Sequence, residues 1–263
     1  MKVLEFGNGY PEITIIGGIH GDEPSGKQIV HLLERYLSEQ TLNGSVQLII
    51  ANEKALNENV RYIEKDVNRL FPGDINSETY EERLAAKIFN EIQDSTFVLA
   101  LHSTQSSPPP FAIYSKLTDI NEKLIKSMNV KHAVDCSELT GNTLDTHFDN
   151  AVTLECGKQH SENAVEFGFK ASKNILRAHN ILSDKPATES TVKIFKAKKD
   201  IEKGSGETRL YYNNFEKIKE GTVLAEDNEY KHTINKSGFV PILASENGYK
   251  NIYGLIGTYI TEI

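Results

Sequence analysis

No apolar run in this 263-residue chain approaches the roughly 20 residues that a membrane-spanning helix needs. The opening Met1-Lys2-Val3-Leu4-Glu5 lacks the apolar core of a secretion signal. The expectation is a cytoplasmic protein with no membrane partner. Cysteine is scarce: Cys136 and Cys156 are too few for a disulfide framework and fit a reducing compartment. No long basic stretch occurs, and 29 Lys and Arg against 37 Asp and Glu give a formal charge of −8. That balance disfavours nucleic acid or an anionic surface as the main partner. Internal repeats and low-complexity tracts are missing too. A small molecule or a peptide remains as the default ligand, and a homo-oligomer is compatible with the chain.

Short apolar runs alternate with helical patterns over the first two thirds of the chain. Strands are expected near Ile13 to Ile19, Val46 to Ala51, Phe97 to Leu101, Phe111 to Tyr114, Val130 to Val134 and Ala151 to Leu154. Between them, Pro24 to Glu39 carries Ile29, Leu33, Tyr36 and Leu37 on one side and starts with proline in its first turn. Ser77 is a candidate cap for a second helix, Glu78 to Ile92, and Glu162 to Asn180 reads as a third. This alternation predicts an α/β domain with a largely parallel sheet under helices, residues 1–185. After a linker-like Asp184-Lys185-Pro186-Ala187-Thr188 the runs become short and alternating, which predicts a smaller β-rich unit, residues 186–263.

The chemistry is concentrated where apolar runs end. Gly17-Gly18-Ile19-His20-Gly21-Asp22-Glu23 follows Ile13 to Ile16 and precedes the first helix, so an imidazole and a carboxylate stand at a strand exit. In open α/β sheets, ligand sites lie outside the carboxyl ends of strands. His102 closes the run Phe97 to Leu101 and is followed by Ser103, Thr104, Gln105, Ser106 and Ser107, which read as loop. Each residue alone is ordinary. Together, two His and one carboxylate at strand exits match the three protein ligands of a catalytic zinc site with one position left open. The overlapping Gly21 to Lys27 also matches a phosphate-binding GxxxxGK. However, Gln28 replaces the required hydroxyl, Asp22 and Glu23 would repel phosphate, and the run from Phe97 ends in His102 instead of Asp.

Two further segments bear polar groups that suit such a site. Val60 to Gly73 shows no clear periodicity and carries Arg61, Asn68 and Arg69. Guanidinium groups can grip a carboxylate through two parallel hydrogen bonds. The same segment also reads as a solvated loop with local ion pairs to Glu64 and Asp66. Glu155 ends the run Ala151 to Leu154, at another strand exit. It can take a proton from water on a metal, or it can be a rim carboxylate paired with Lys158.

Four blocks, in order, resemble the succinylglutamate desuccinylase and aspartoacylase family. They are His20-Gly21-Asp22-Glu23, Arg61 to Phe71, Leu101-His102-Ser103-Thr104 and Thr153-Leu154-Glu155-Cys156-Gly157-Lys158. The resemblance implies a zinc-carboxypeptidase-like fold, in which a mostly parallel mixed sheet is flanked by helices and followed by a smaller C-terminal β-rich domain shaping the entrance. It implies one zinc per chain on His20, Glu23 and His102, Glu155 as general base, Arg61 polarising the scissile carbonyl, and Asn68 with Arg69 holding a substrate carboxylate. Tyr249 resembles a tyrosine that the second domain offers to the substrate. The implied reaction is hydrolysis of an N-acyl amino acid, such as an N-succinyl or N-acetyl one; the alternative is a zinc carboxypeptidase acting on small peptides. Aspartoacylases resemble one another in an arginine shortly before the catalytic glutamate, and Leu144 to Asp149 holds none, which speaks against acetylaspartate.

Overall fold

The computed structural model describes residues 1–139, 141–185 and 189–263. The chain runs through β1 (Lys2–Asn8), β2 (Glu12–Gly17), α1 (Pro24–Leu37), β3 (Gly44–Ile50), α2 (Glu53–Glu58), a 3₁₀ turn at Val67–Arg69, α3 (Tyr80–Glu91), β4 (Phe97–Thr104), β5 (Phe111–Tyr114), α4 (Asp119–Ser127) and β6 (His132–Asp135). It continues through α5 (Leu144–His147), β7 (Ala151–Lys158), α6 (Glu162–Ala178), β8 (Lys193–Glu202), β9 (Arg209–Leu210), β10 (Val223–Glu226), β11 (Lys231–Thr233), β12 (Phe239–Ile242) and β13 (Ile252–Glu262).

Ten strands form one sheet in the order β1-β3-β2-β4-β7-β5-β6-β8-β13-β12. Its centre is parallel, β3, β2, β4 and β7 all pointing one way. Strands β1 and β5 pair antiparallel with β3 and β7, so the sheet is mixed, as expected. Every residue of β4 is buried, because helices cover both faces of a parallel sheet. On one face Ile15, Leu99 and Leu154 pack against Ile29 and Leu33 of α1, Ile125 of α4 and Ile175 of α6. On the other, Ile16, Val98 and Ala100 meet Leu84 and Ile88 of α3 with Val67 and Phe71.

The structure refines several expectations. Strand β4 extends to Thr104 because Ser103 and Thr104 continue alongside β7, where a loop was expected. Helix α3 begins at Tyr80 after Thr79; Ser77 instead accepts from the Thr79 amide and donates to Glu82, holding the chain off the helical path. The strand β1 and the helices α2, α4 and α5 were not anticipated. The expected boundary at 185/186 and the Pro186-Ala187-Thr188 part of the linker lie outside the described residues. Beyond them, β8 pairs in parallel with β6, so the C-terminal β-rich part continues the main sheet through β8, β13 and β12. It also carries the three-stranded sheet β11-β10-β9, with a core of Ile218, Leu224 and Tyr253.

The exit of β2 is built by close backbone approach. A Cβ on Gly17 would stand 2.3 Å from the carbonyl oxygen of Gly26, so the first turn of α1 rests directly on the strand end. Gly18 then turns the chain with a φ of 71°, a region glycine enters without steric cost. Gly17→Ala is expected to lower stability by about 1–3 kcal/mol through overpacking and to displace His20. Chemical denaturation, compared with metal affinity of the folded variant, measures both effects.

Candidate metal centre

Helix α1 begins with Pro24, whose missing N–H removes one donor that a cap would otherwise satisfy. Glu23 precedes it without capping the helix, so its carboxylate is available to the sheet. Oε1 lies 2.7 Å from Nδ1 of His20, and Oε2 lies 3.0 Å from Nδ1 of His102. The Ser103 backbone N–H donates to Oε2 at 3.0 Å. All three side chains are buried, and one ligand atom from each lies within 4.8 Å of the others. His102 is brought there by β4, adjacent to β2, and its register partner across β7 is Glu155. Three strand ends thus deliver His20, His102 and Glu155 to one place.

Charge is held tightly here. Burial disfavours the charged form of His20, yet the Glu23 charge and hydrogen bonds donated to Asp66 and Glu23 outweigh it and raise its pKa to about 9. Burial likewise opposes ionisation of Glu23, but the two imidazoles hold it well below the usual carboxylate range. Glu155 behaves oppositely. Burial first, and then the negative charge of Glu23, push it up to about 8. Its Oε2 is buried without a hydrogen-bond partner among the described residues, and no lysine pairs with it. A buried polar atom of that kind calls for an unseen partner. Two imidazole nitrogens and a carboxylate converging beside it form a donor set that fits a divalent metal ion, zinc in particular.

Arg61 and Asp66 complete the wall. Nη1 of Arg61 donates to Oε1 of Glu23 at 3.4 Å, and Nε donates to Oδ2 of Asp66 at 3.1 Å. The local ion pair therefore forms, but inside the site and not in solvent. Oδ1 of Asp66 lies 2.9 Å from Nε2 of His20, so it orients the ring and turns Nδ1 toward Glu23. The loop is fixed from beneath by Glu81 of α3, which is fully buried and accepts from the amides of Ile63, Glu64 and Lys65 at 2.7, 3.1 and 3.3 Å. Asn52 also donates to Glu81.

One cavity of about 670 Å³ gathers all the expected positions: His20, Glu23, Arg61, Asn68, Arg69, His102, Glu155 and Tyr249. Tyr249 reaches it from the C-terminal part, where burial, and then the Glu155 charge, raise its pKa above the ordinary tyrosine value. Asp66, Glu81, Ser115 and Asp145 were not foreseen. A signal existed for Asp66, which caps the 3₁₀ turn by accepting from the Asn68 amide. His147 is exposed, with its Nε2 3.3 Å from Oδ1 of Asn142. Asp66→Asn is expected to weaken metal binding by about 10- to 100-fold, because the ring of His20 loses its orienting carboxylate. Competition with a chromogenic chelator reads this directly.

Residues 10–179 match the family model of the succinylglutamate desuccinylase/aspartoacylase catalytic domain. The chain is similar to a succinylglutamate desuccinylase of Pseudomonas aeruginosa, 26% identical over 254 residues that cover 82% of this chain and 74% of the relative. It is 31% identical over 107 residues to an N-acyl-aromatic-L-amino acid amidohydrolase of Xenopus tropicalis, covering 36% and 34% of the two chains. Among solved structures, a succinylglutamate desuccinylase/aspartoacylase from Rhodobacter sphaeroides superposes with a TM-score of 0.78 at 17% identity, over 98% of this chain and 88% of the other. With the family model spanning well over half of its length, the chain belongs to the succinylglutamate desuccinylase/aspartoacylase family.

Proposed function

We propose that this protein is a zinc-dependent amidohydrolase that cleaves the amide bond of an N-acyl amino acid, such as an N-succinyl or N-acetyl one. The observation that carries the reading is the convergence of His20, Glu23 and His102 with the unpartnered carboxylate of Glu155 in one cavity. The names of the relatives support the substrate class: one is a succinylglutamate desuccinylase and another an N-acyl-aromatic-amino-acid amidohydrolase. His20, Glu23 and His102 would hold one zinc per chain, which would supply Lewis acidity and make water a nucleophile near neutral pH.

The chain's own groups do the rest. Glu155, whose environment raises its proton affinity, accepts a proton from the attacking water and returns it to the departing amine. Arg61, held by Asp66, donates to the carbonyl oxygen as negative charge develops there. Asn68 and Arg69 grip the free carboxylate of the amino acid, and Tyr249 closes the cavity from the C-terminal side. The β-rich segment 186–263 acts as a domain that narrows the entrance, and Leu243, Ile252 and Leu255 line the cavity together with Tyr249. That enclosure favours a small acyl amino acid over the peptide chain a carboxypeptidase would admit. No helix among the described residues is long and apolar enough to cross a membrane.

Glu155→Gln is expected to retain about one zinc per chain while kcat falls by at least about 100-fold. Elemental analysis beside single-turnover rates separates this from a ligand role, in which metal and activity would vanish together. Removal of the metal with a chelator is expected to abolish amine release from a panel of acetyl and succinyl amino acids, and added zinc to restore it. A zinc-loaded protein that releases no amine from the panel yet trims small peptides would favour the carboxypeptidase instead.

A further inference from the structure

The cavity extends well past the metal ligands. Phe111 of β5 is the register partner of Glu155, and Ile113 that of Thr153. Ser115 follows on the same side, roughly 13 Å from Phe111 at about 3.3 Å per residue. Ile113, Ser115 and Thr153 line the cavity together with Glu155, so β5 and β7 form its floor from the general base to Ser115.

Asp145 stands at that far end. It is 7% exposed, lines the cavity, and accepts the Ser115 hydroxyl at Oδ2. Its Oδ1 accepts no hydrogen bond among the described residues and is open to the cavity, unlike the closed-off Oε2 of Glu155. Buried carboxylates are rarely left without a cation or several donors. Glu23 has two imidazoles and an amide, and Glu81 has three amides. Asp145 has one hydroxyl. Arg69 and Lys199 line the same cavity, but no Lys, Arg or His among the described residues comes within 4.0 Å of Asp145. Glu138, at the same end, is instead engaged by Lys196 and Lys198. Among the described residues, Asp145 thus offers the far end of the cavity a largely buried carboxylate with an open oxygen and no counter-ion.

The backbone shows which part of a substrate faces it. The Leu144 amide donates to Oδ1 of Asn68 at 3.3 Å, and the Phe71 amide donates to the carbonyl of Asn142 at 3.0 Å. The start of α5 is therefore tied to the Asn68 and Arg69 segment that grips the substrate carboxylate, and Asp145 lies on the amino-acid side of the scissile bond. We infer that Asp145, oriented by Ser115, is the specificity residue of this enzyme and selects N-acyl amino acids whose side chain ends in a cation, of ornithine or lysine length. The ammonium group supplies the missing counter-ion, and an acidic side chain meets like charge in a buried place. This inference rests on the deacylase reading above.

The test compares kcat/KM of the zinc-loaded protein for Nα-acetyl derivatives of ornithine, lysine, norleucine and glutamate, with Asp145→Asn and Ser115→Ala beside it. The cationic members are expected to exceed norleucine and glutamate. Asp145→Asn is expected to cut the ratio of lysine to norleucine by about 10- to 100-fold, the worth of a hydrogen bond to a charged group. Ser115→Ala is expected to cut the same ratio less. Faster cleavage of glutamate than of lysine, or an unchanged ratio in Asp145→Asn, overturns the assignment and leaves the deacylase standing. If neither these compounds nor their Nα-succinyl counterparts are cleaved, the deacylase reading fails, and calorimetry with free ornithine and norvaline decides the subsite. Tighter binding of ornithine that is lost in Asp145→Asn upholds it, and equal binding of the two overturns it.

Discussion

The carboxylate of Glu23 is the interaction on which the site depends. Taking a charge out of water costs several kcal/mol unless partners replace the water, and here two imidazoles, a backbone amide and a guanidinium do so. The partners arrive from three elements: His20 from the β2 exit, His102 and the Ser103 amide from β4, and Arg61 from the loop ahead of the 3₁₀ turn. The strand order that puts β2 beside β4 is therefore also the arrangement that satisfies this one charge. Fold and site answer to the same constraint.

Polarity is divided sharply across the cavity. Around Glu23, opposite charges neutralise one another through His20, Asp66 and Arg61, while Glu155 is left with a raised proton affinity by burial and by its acidic neighbour. Groups whose environments push their pKa values apart make a natural acid/base pair of roles. The arrangement keeps one carboxylate charged and fixed while the other remains able to exchange a proton near neutral pH.

The sequence made the fold class and the candidate ligand positions legible because both follow from local rules. Buried parallel strands are short continuous apolar runs, and in such a sheet their ends are where polar residues meet the ligand. His20, His102 and Glu155 could be placed on that argument. Other groups depend on contacts between distant segments. Glu81 reads as an ordinary acidic residue in the first turn of a helix, and only packing shows it turned inward toward Ile63, Glu64 and Lys65. Asp145 sits in a helix of four residues, too short for periodicity to register. The six residues of α2 escape notice for the same reason. The C-terminal strands alternate as expected, but nothing local indicates that β8 will pair with β6 and prolong the main sheet.

Glu81 also links motions that would otherwise be separate. The amides of Ile63, Glu64 and Lys65 end on a carboxylate carried by α3, and Asn52, which caps α2, ends there as well. A loop of this length with polar residues would ordinarily open and close on its own, with fast hydrogen exchange. Here the loop can open only by exposing a buried charge, so it shares the slow exchange of the helix beneath it. Arg61 and Asp66 thus belong to the same cooperative unit as the core, although they lie on a segment with no strand and little helix.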